Sequence, residues 1–129
     1  MILLDTHVLI WLAGDTAQLS KRASEAIREA ARGDGIAISA ISLWELAWLA
    51  TNHRVTIAGT ADAFLQEITS RTAVRPITIK IAALATQMPP DYSSDPCDRL
   101  IGATALAEGI PLVTKDRGIR RSKAVTTIW

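Results

Sequence analysis

The feature that most constrains this chain is a rhythm. Four short apolar runs, none longer than five residues, are separated by longer stretches with helical spacing. The runs are residues 2–4 (ILL), 36–40 (IAISA), 111–114 (PLVT) and 124–128 (AVTTI). Gly33-Asp34-Gly35 introduces the second and Gly109 precedes the third, and such borders favour strand over a buried helical turn. Between the runs the helix signals are local and physical. Ser20 is placed to cap a helix reaching about Arg32, with Ala23, Ile27, Ala30 and Ala31 on one face. Ser42-Leu43-Trp44-Glu45 fits a capping box, followed by Trp44 and Trp48 four apart. Asp95-Pro96 sets an N-cap before a proline at the first helical position, and Gly109 stops that helix. Residues 61–87 predict two further helices, broken near Pro76. Strands alternating with helices predict an α/β fold with a mostly parallel sheet, in which ligands bind at the carboxyl edge of the strands.

With 129 residues, 49% of them hydrophobic, the chain predicts one core and a single domain over 1–129, without repeats or low-complexity segments. A net charge of +1 gives the whole molecule little pull on a polyanion, so any such interaction depends on how charge is distributed. Residues 115–123 hold Lys115, Arg117, Arg120, Arg121 and Lys123 against Asp116 alone. Cys97 is the only cysteine, which excludes an intrachain disulfide and a cysteine-built zinc cluster. The opening residues, MILLDTHVLIWLAGD, carry no cationic leader and Asp5 interrupts their apolar run; neither a signal peptide nor a membrane span is expected, and the expected location is cytoplasmic.

The sheet-edge rule directs attention to four acids. Asp5 directly follows the first run, and Asp116 comes two residues after Thr114. Glu45 lies five residues after Ala40, and Asp98 opens the helix leading into PLVT. An α/β sheet gathers all four at one edge. Each has an ordinary reading by itself: Glu45 completes a capping box, Asp98 suits a helix N-terminus, Asp116 suits a turn, and Asp95 is a cap. Asp5, at the end of a buried strand, requires a partner. Four carboxylates together repel one another unless a cation intervenes, and an oxygen-only set suits Mg²⁺ or Mn²⁺. The chemistry implied is metal-assisted hydrolysis of a phosphate ester.

The segments LLDTHVLIWL (3–12), SAISLWELAWL (39–49), DPCDRLIGATALAEGIPLVTKD (95–116) and VTTIW (125–129) resemble PIN-domain proteins, and more closely the VapC toxins of bacterial toxin–antitoxin pairs. The likeness runs from end to end, with residues 55–92 the least diagnostic. It implies a three-layer α/β/α fold and an Mg²⁺-dependent endoribonuclease in which Mn²⁺ substitutes. It also implies RNA as substrate, a VapB-type antitoxin as partner, and a homodimer. The family's metal-site acids fall on Asp5, Glu45, Asp98 and Asp116. Thr114 and Thr6 then hydrogen-bond those acids or metal waters, and Asp95 adds a neighbouring contact. Cys97 stands where an aromatic is common, a departure that concerns packing.

Arg99, Lys115, Arg117, Arg120 and Arg121 adjoin the acids and are the expected contacts for the RNA backbone or the antitoxin. Trp11, Trp44 and Trp48 read as core or interface anchors; Trp44, Trp48 and residues 9–12 suit a groove for an antitoxin helix. His7 reads as structural. Two other functions fit the same outline. A phosphorelay receiver is also α/β with edge acids, and Thr114-Lys115 suits it, but only one acid follows the first strand here. An inactive partner-binding module is the other, although all four acids are intact.

Overall fold

The computed structural model describes residues 1–129. Three short stretches of buried aliphatic residues make the centre of a five-stranded sheet: β1 (Ile2–Leu4), β2 (Ile36–Ser39) and β4 (Leu112–Val113). All their residues are buried, as expected for strands covered on both faces. β3 (Ala73–Arg75) and β5 (Thr127–Ile128) form the edges and are only partly buried. Every pairing is parallel, in the order β3-β2-β1-β4-β5, with Leu3 beside both Ala37 and Leu112.

Seven helices connect the strands: α1 (Thr6–Gly14), α2 (Lys21–Arg32), α3 (Ala40–Thr51), α4 (Ala61–Ile68), α5 (Ile79–Thr86), α6 (Pro96–Glu108) and α7 (Arg117–Ser122). Alternation along β1 divides the core. Ile2 and Leu4 pack with Val8, Leu9, Ile27, Leu46 and Phe64, which belong to α1 through α4. Leu3 points the other way and packs with Tyr92, Ile101, Ala105 and Ile119, on the side of α6 and α7. A smaller cluster, Ile81, Ala85 and Ala103, joins α5 to α6. The result is the three-layer α/β/α arrangement. No helix is long and apolar enough to cross a membrane.

Several sequence expectations are corrected in detail. The stretch 61–87 holds its two helices, but β3 lies between them; AVR is a half-exposed edge strand, so no apolar run marks it. α3 starts at Ala40, with the Ser39 hydroxyl accepting from the Ile41 amide at 3.3 Å, so Ser42 caps nothing and Glu45 sits in the second turn. Ala31 is exposed on α2, whose buried residues are Ala23, Ile27 and Ala30. The terminal run shortens to Thr127–Ile128. The strand order also closes the receiver alternative: receivers follow the 2-1-3-4-5 order, whereas here β1 lies between β2 and β4.

Candidate active site

Chain direction reverses at β1. The connections β1 to β2 to β3 run one way across the sheet, and β4 and β5 are added on the other side. The crevice outside the carboxyl ends of β1 and β4 is therefore the switch point where α/β sheets bind ligands. Asp5 leaves β1 there, its amide donating to the Val113 carbonyl at 3.0 Å. Asp116 follows β4 and caps α7, its Oδ1 accepting from the Ile119 amide at 2.8 Å. The buried Thr114 hydroxyl links the two. It donates to Asp5 Oδ2 at 2.7 Å and accepts from the Asp116 amide at 3.1 Å.

Glu45 and Asp98 enter from α3 and α6. The hydroxyl of Thr6, fully buried at the start of α1, donates to Glu45 Oε1 at 2.6 Å and lies 2.9 Å from the Ser42 hydroxyl. The Ser93 hydroxyl donates to Asp98 Oδ2 at 2.6 Å. Asp95 caps α6 by accepting from the Asp98 amide at 3.1 Å, and Tyr92 donates its phenol proton to the Asp98 carbonyl at 2.9 Å. In all four acids one carboxylate oxygen is held by a protein donor, and the other has no hydrogen bond from the protein.

These acids share a cleft of about 440 Å³, lined by Asp5, His7, Val8, Trp11, Glu45, Asp95, Asp98, Lys115 and Asp116. The molecule's one ion pair joins the Met1 amino group to Asp34 at 3.5 Å, so no cleft acid is neutralised by a contacting base. The consequence shows in protonation. Burial pushes the Asp5 carboxyl up, opposed by the Thr114 hydrogen bond and by His7, with Asp116 adding repulsion. Burial also raises Glu45, against the Thr6 hydrogen bond, with repulsion from Asp5, Asp98 and Asp95. Asp98 is pushed up to about 6 by burial first, then by Asp5, Asp95 and Asp116, while Ser93 opposes. Burial, with Glu45, Asp95 and Asp98 adding repulsion, pushes the Cys97 thiol up to about 11, and Cys97 does not line the cleft.

The residues fit a hard divalent cation by donor chemistry: several carboxylate oxygens, open and unneutralised, and no thiolate. No three of them already encircle one point. Mg²⁺ does not require that, because it keeps several waters and takes one or two carboxylates plus phosphate oxygens.

Of the residues singled out in the sequence, the fold brings Asp5, Glu45, Asp95, Asp98 and Asp116 to one cleft, and Thr6 and Thr114 against its acids. Among the basic residues only Lys115 lines it. Arg117, Arg120 and Arg121 are exposed on α7, and Arg99 turns to α5, donating to the Ala85 carbonyl at 3.3 Å. Sequence reasoning missed His7, Val8 and Trp11 as cleft wall. Their offsets of two, three and six residues from Asp5 place them on it only once Thr6–Gly14 is helical. Ser93 was missed as well, since no spacing rule ties a loop serine to an acid five residues on.

Comparison with known proteins supplies the relationship. The PIN domain family model matches residues 2–124. The chain is 42% identical over 130 residues to Ribonuclease VapC22 of Mycobacterium tuberculosis (strain ATCC 25618 / H37Rv), covering 99% of this chain and 98% of the relative. Its fold is similar to the crystal structure of VapBC2 from Rickettsia felis bound to a DNA fragment from their promoter, with a TM-score of 0.74, 20% identity and coverage of 98% and 97% of the two chains. It is also similar to FitAcB from Neisseria gonorrhoeae, with a TM-score of 0.70, 22% identity and coverage of 98% and 96%.

Proposed function

The chain belongs to the PIN-domain family, and on that premise we propose that it is a divalent-metal-dependent endoribonuclease, the toxin half of a toxin–antitoxin pair, with residues 1–129 forming one PIN domain. One observation carries the reading: four carboxylates from four different elements meet in one cleft, each with an oxygen left open and none neutralised. The relative named a ribonuclease supports RNA as substrate. The VapBC likeness supports an antitoxin of the VapB type as partner, and a homodimer belongs to the same reading.

Asp5, Glu45 and Asp98 would hold Mg²⁺, or Mn²⁺ in its place, directly or through its retained waters, and Asp116 would bind it or position water. When bound, the cation neutralises phosphate charge and lowers the pKa of a water. Thr114, Thr6 and Ser93 each fix one oxygen of a carboxylate, so the second oxygen is aimed without reorganisation. No cleft side chain need become a covalent nucleophile. Water attacks phosphorus in line, the P–O3′ bond breaks with its electron pair leaving on O3′, and the products carry a 5′-phosphate and a 3′-hydroxyl. Lys115 on the wall, with Arg117, Arg120 and Arg121 on α7, would take the RNA backbone.

The test is cleavage of total RNA by the purified chain with Mg²⁺ and with EDTA. Chelation should abolish cleavage, and Asp5→Ala and Asp98→Asn should be inactive while remaining folded by circular dichroism. Undiminished metal-dependent cleavage by either variant refutes the assignment of the acids.

A further inference from the structure

A cleft that must receive a polyanion here is lined by five acids and one lysine. With no cation bound, phosphate contacts in the cleft give RNA little reason to enter, so binding there has to draw on another kind of attraction. The remaining wall supplies it. Trp11 lies one helical turn beyond His7 on α1, both side chains line the cleft, and their rings are 6.1 Å apart at 50°. The indole is held in place by its neighbours. It packs on the α1–α4 side of the core, and the terminal Trp129 meets it at 6.0 Å and 57°. The Lys115 ammonium lies 5.5 Å from the Trp11 ring centroid, and Lys115 sits between Thr114, which holds Asp5, and Asp116.

We propose that Trp11 is the stacking platform for a nucleobase next to the scissile phosphate of single-stranded RNA, and that Lys115, resting on that ring in the free protein, moves to the adjoining phosphate when the base arrives. This deepens the nuclease reading and rests on it. A half-buried, braced indole loses little freedom when a base stacks on it, and stacking tolerates any base because each has a π-face. Single-stranded RNA presents unstacked bases to aromatic side chains, whereas a duplex keeps them paired. The ammonium loses a cation–π contact and gains a charge-assisted one a few ångströms away. Trp11 is a positioning residue; it touches the substrate's base and not the reacting atoms.

The test separates this idea from catalysis by measuring binding in EDTA, where no cleavage occurs. Fluorescence anisotropy of a labelled single-stranded octaribonucleotide is compared with a series carrying one abasic nucleotide at each position in turn. For the unaltered protein, one abasic position should weaken binding about 5–150-fold, the range of one stacked base. In Trp11→Leu the intact RNA should bind that much more weakly, and the same abasic change should cost nothing further. Trp11→Phe should keep most of the affinity. Circular dichroism of Trp11→Leu, together with the retained affinity of Trp11→Phe, which keeps an aromatic face, distinguishes a lost platform from a misfolded variant. Equal abasic penalties in both proteins, no penalty at any position, or no RNA binding at all overturns the platform. Mg²⁺-dependent cleavage by the same preparation tests the nuclease reading separately.

Discussion

At the scale of single residues, the site depends on small groups that hold the acids in place. Gly102 faces Tyr92 across the α6 backbone; an added Cβ would come within 2.8 Å of Tyr92 Cζ and 3.0 Å of Met88 Cε. Tyr92 in turn donates to the carbonyl of Asp98, so this glycine allows the ring to lie beneath a cleft acid. Gly102→Ala is expected to cost about 1–3 kcal/mol by overpacking, measured as a lower midpoint of urea unfolding. A midpoint equal to that of the parent would show that Tyr92 yields freely. Thr114 and Thr6 do comparable work on Asp5 and Glu45. Thr114→Val should weaken Mg²⁺ binding about 10–100-fold, as loss of a ligand's supporting hydrogen bond does, with cleavage recovering at high Mg²⁺. An Mg²⁺ titration of RNA cleavage reads this directly. Thr6 was legible as a helper only through its neighbour Asp5; that its hydroxyl serves Glu45, 39 positions away, depends on how α1 and α3 pack.

At the scale of elements, α7 is the instructive case. It has six residues, and only Ile119 is buried, so no apolar periodicity announces it and the sequence there reads as a charged loop. Its start is set by Asp116, which is both cap and cleft acid. The two roles separate by substitution. Asp116→Ala should lose about 0.5–2 kcal/mol of stability with the cap. Asp116→Asn keeps an acceptor and should retain stability while losing cleavage; a fully active Asn variant would assign Asp116 to capping alone. On the same helix, Arg120→Ala/Arg121→Ala should reduce the slope of log binding against log salt by about 0.7 for each phosphate contact removed from a single strand. An unchanged slope takes these arginines out of the interface. Where caps were strong the elements were readable: Ser20 for α2, and Asp95 with Pro96 and the left-handed Gly109 for α6. Where an element is short or at an edge, as with β3, stability comes from neighbouring backbone, which no local signal records.

For the whole molecule, gathering buried acids without bases has a thermodynamic cost. Asp5, Glu45 and Asp98 all bind protons more tightly when folded than their ordinary values, Asp98 to about 6. Between the ordinary carboxylate range and about pH 6 the folded state therefore holds more protons than the unfolded one, and stability falls as pH rises through that window. In EDTA the melting temperature should drop by a few degrees between pH 5 and pH 7. Adding Mg²⁺ at pH 7 should recover it, because a ligand that binds only the folded state stabilises it. A melting temperature that rises over this window in EDTA would contradict the electrostatic picture of the cleft.

The strand-and-helix alternation, the caps that begin α2 and α6, and the four acids at the carboxyl edge are legible along the chain. Each of these follows from chemistry within a few residues: a buried aliphatic run, an oxygen facing free amides, a charge at a strand's end. Tertiary packing sets β1 between β2 and β4, which opens the crevice at Asp5 and excludes the receiver order. It alone paired Thr114 with Asp5 and Thr6 with Glu45, contacts spanning 109 and 39 positions. It also placed Trp11, which reads in sequence as a core or interface anchor, on the cleft wall. The physical reason is the same throughout. Local propensity is written in neighbouring residues, whereas strand order and side-chain pairing are settled by which faces bury together, and that choice belongs to the chain as a whole.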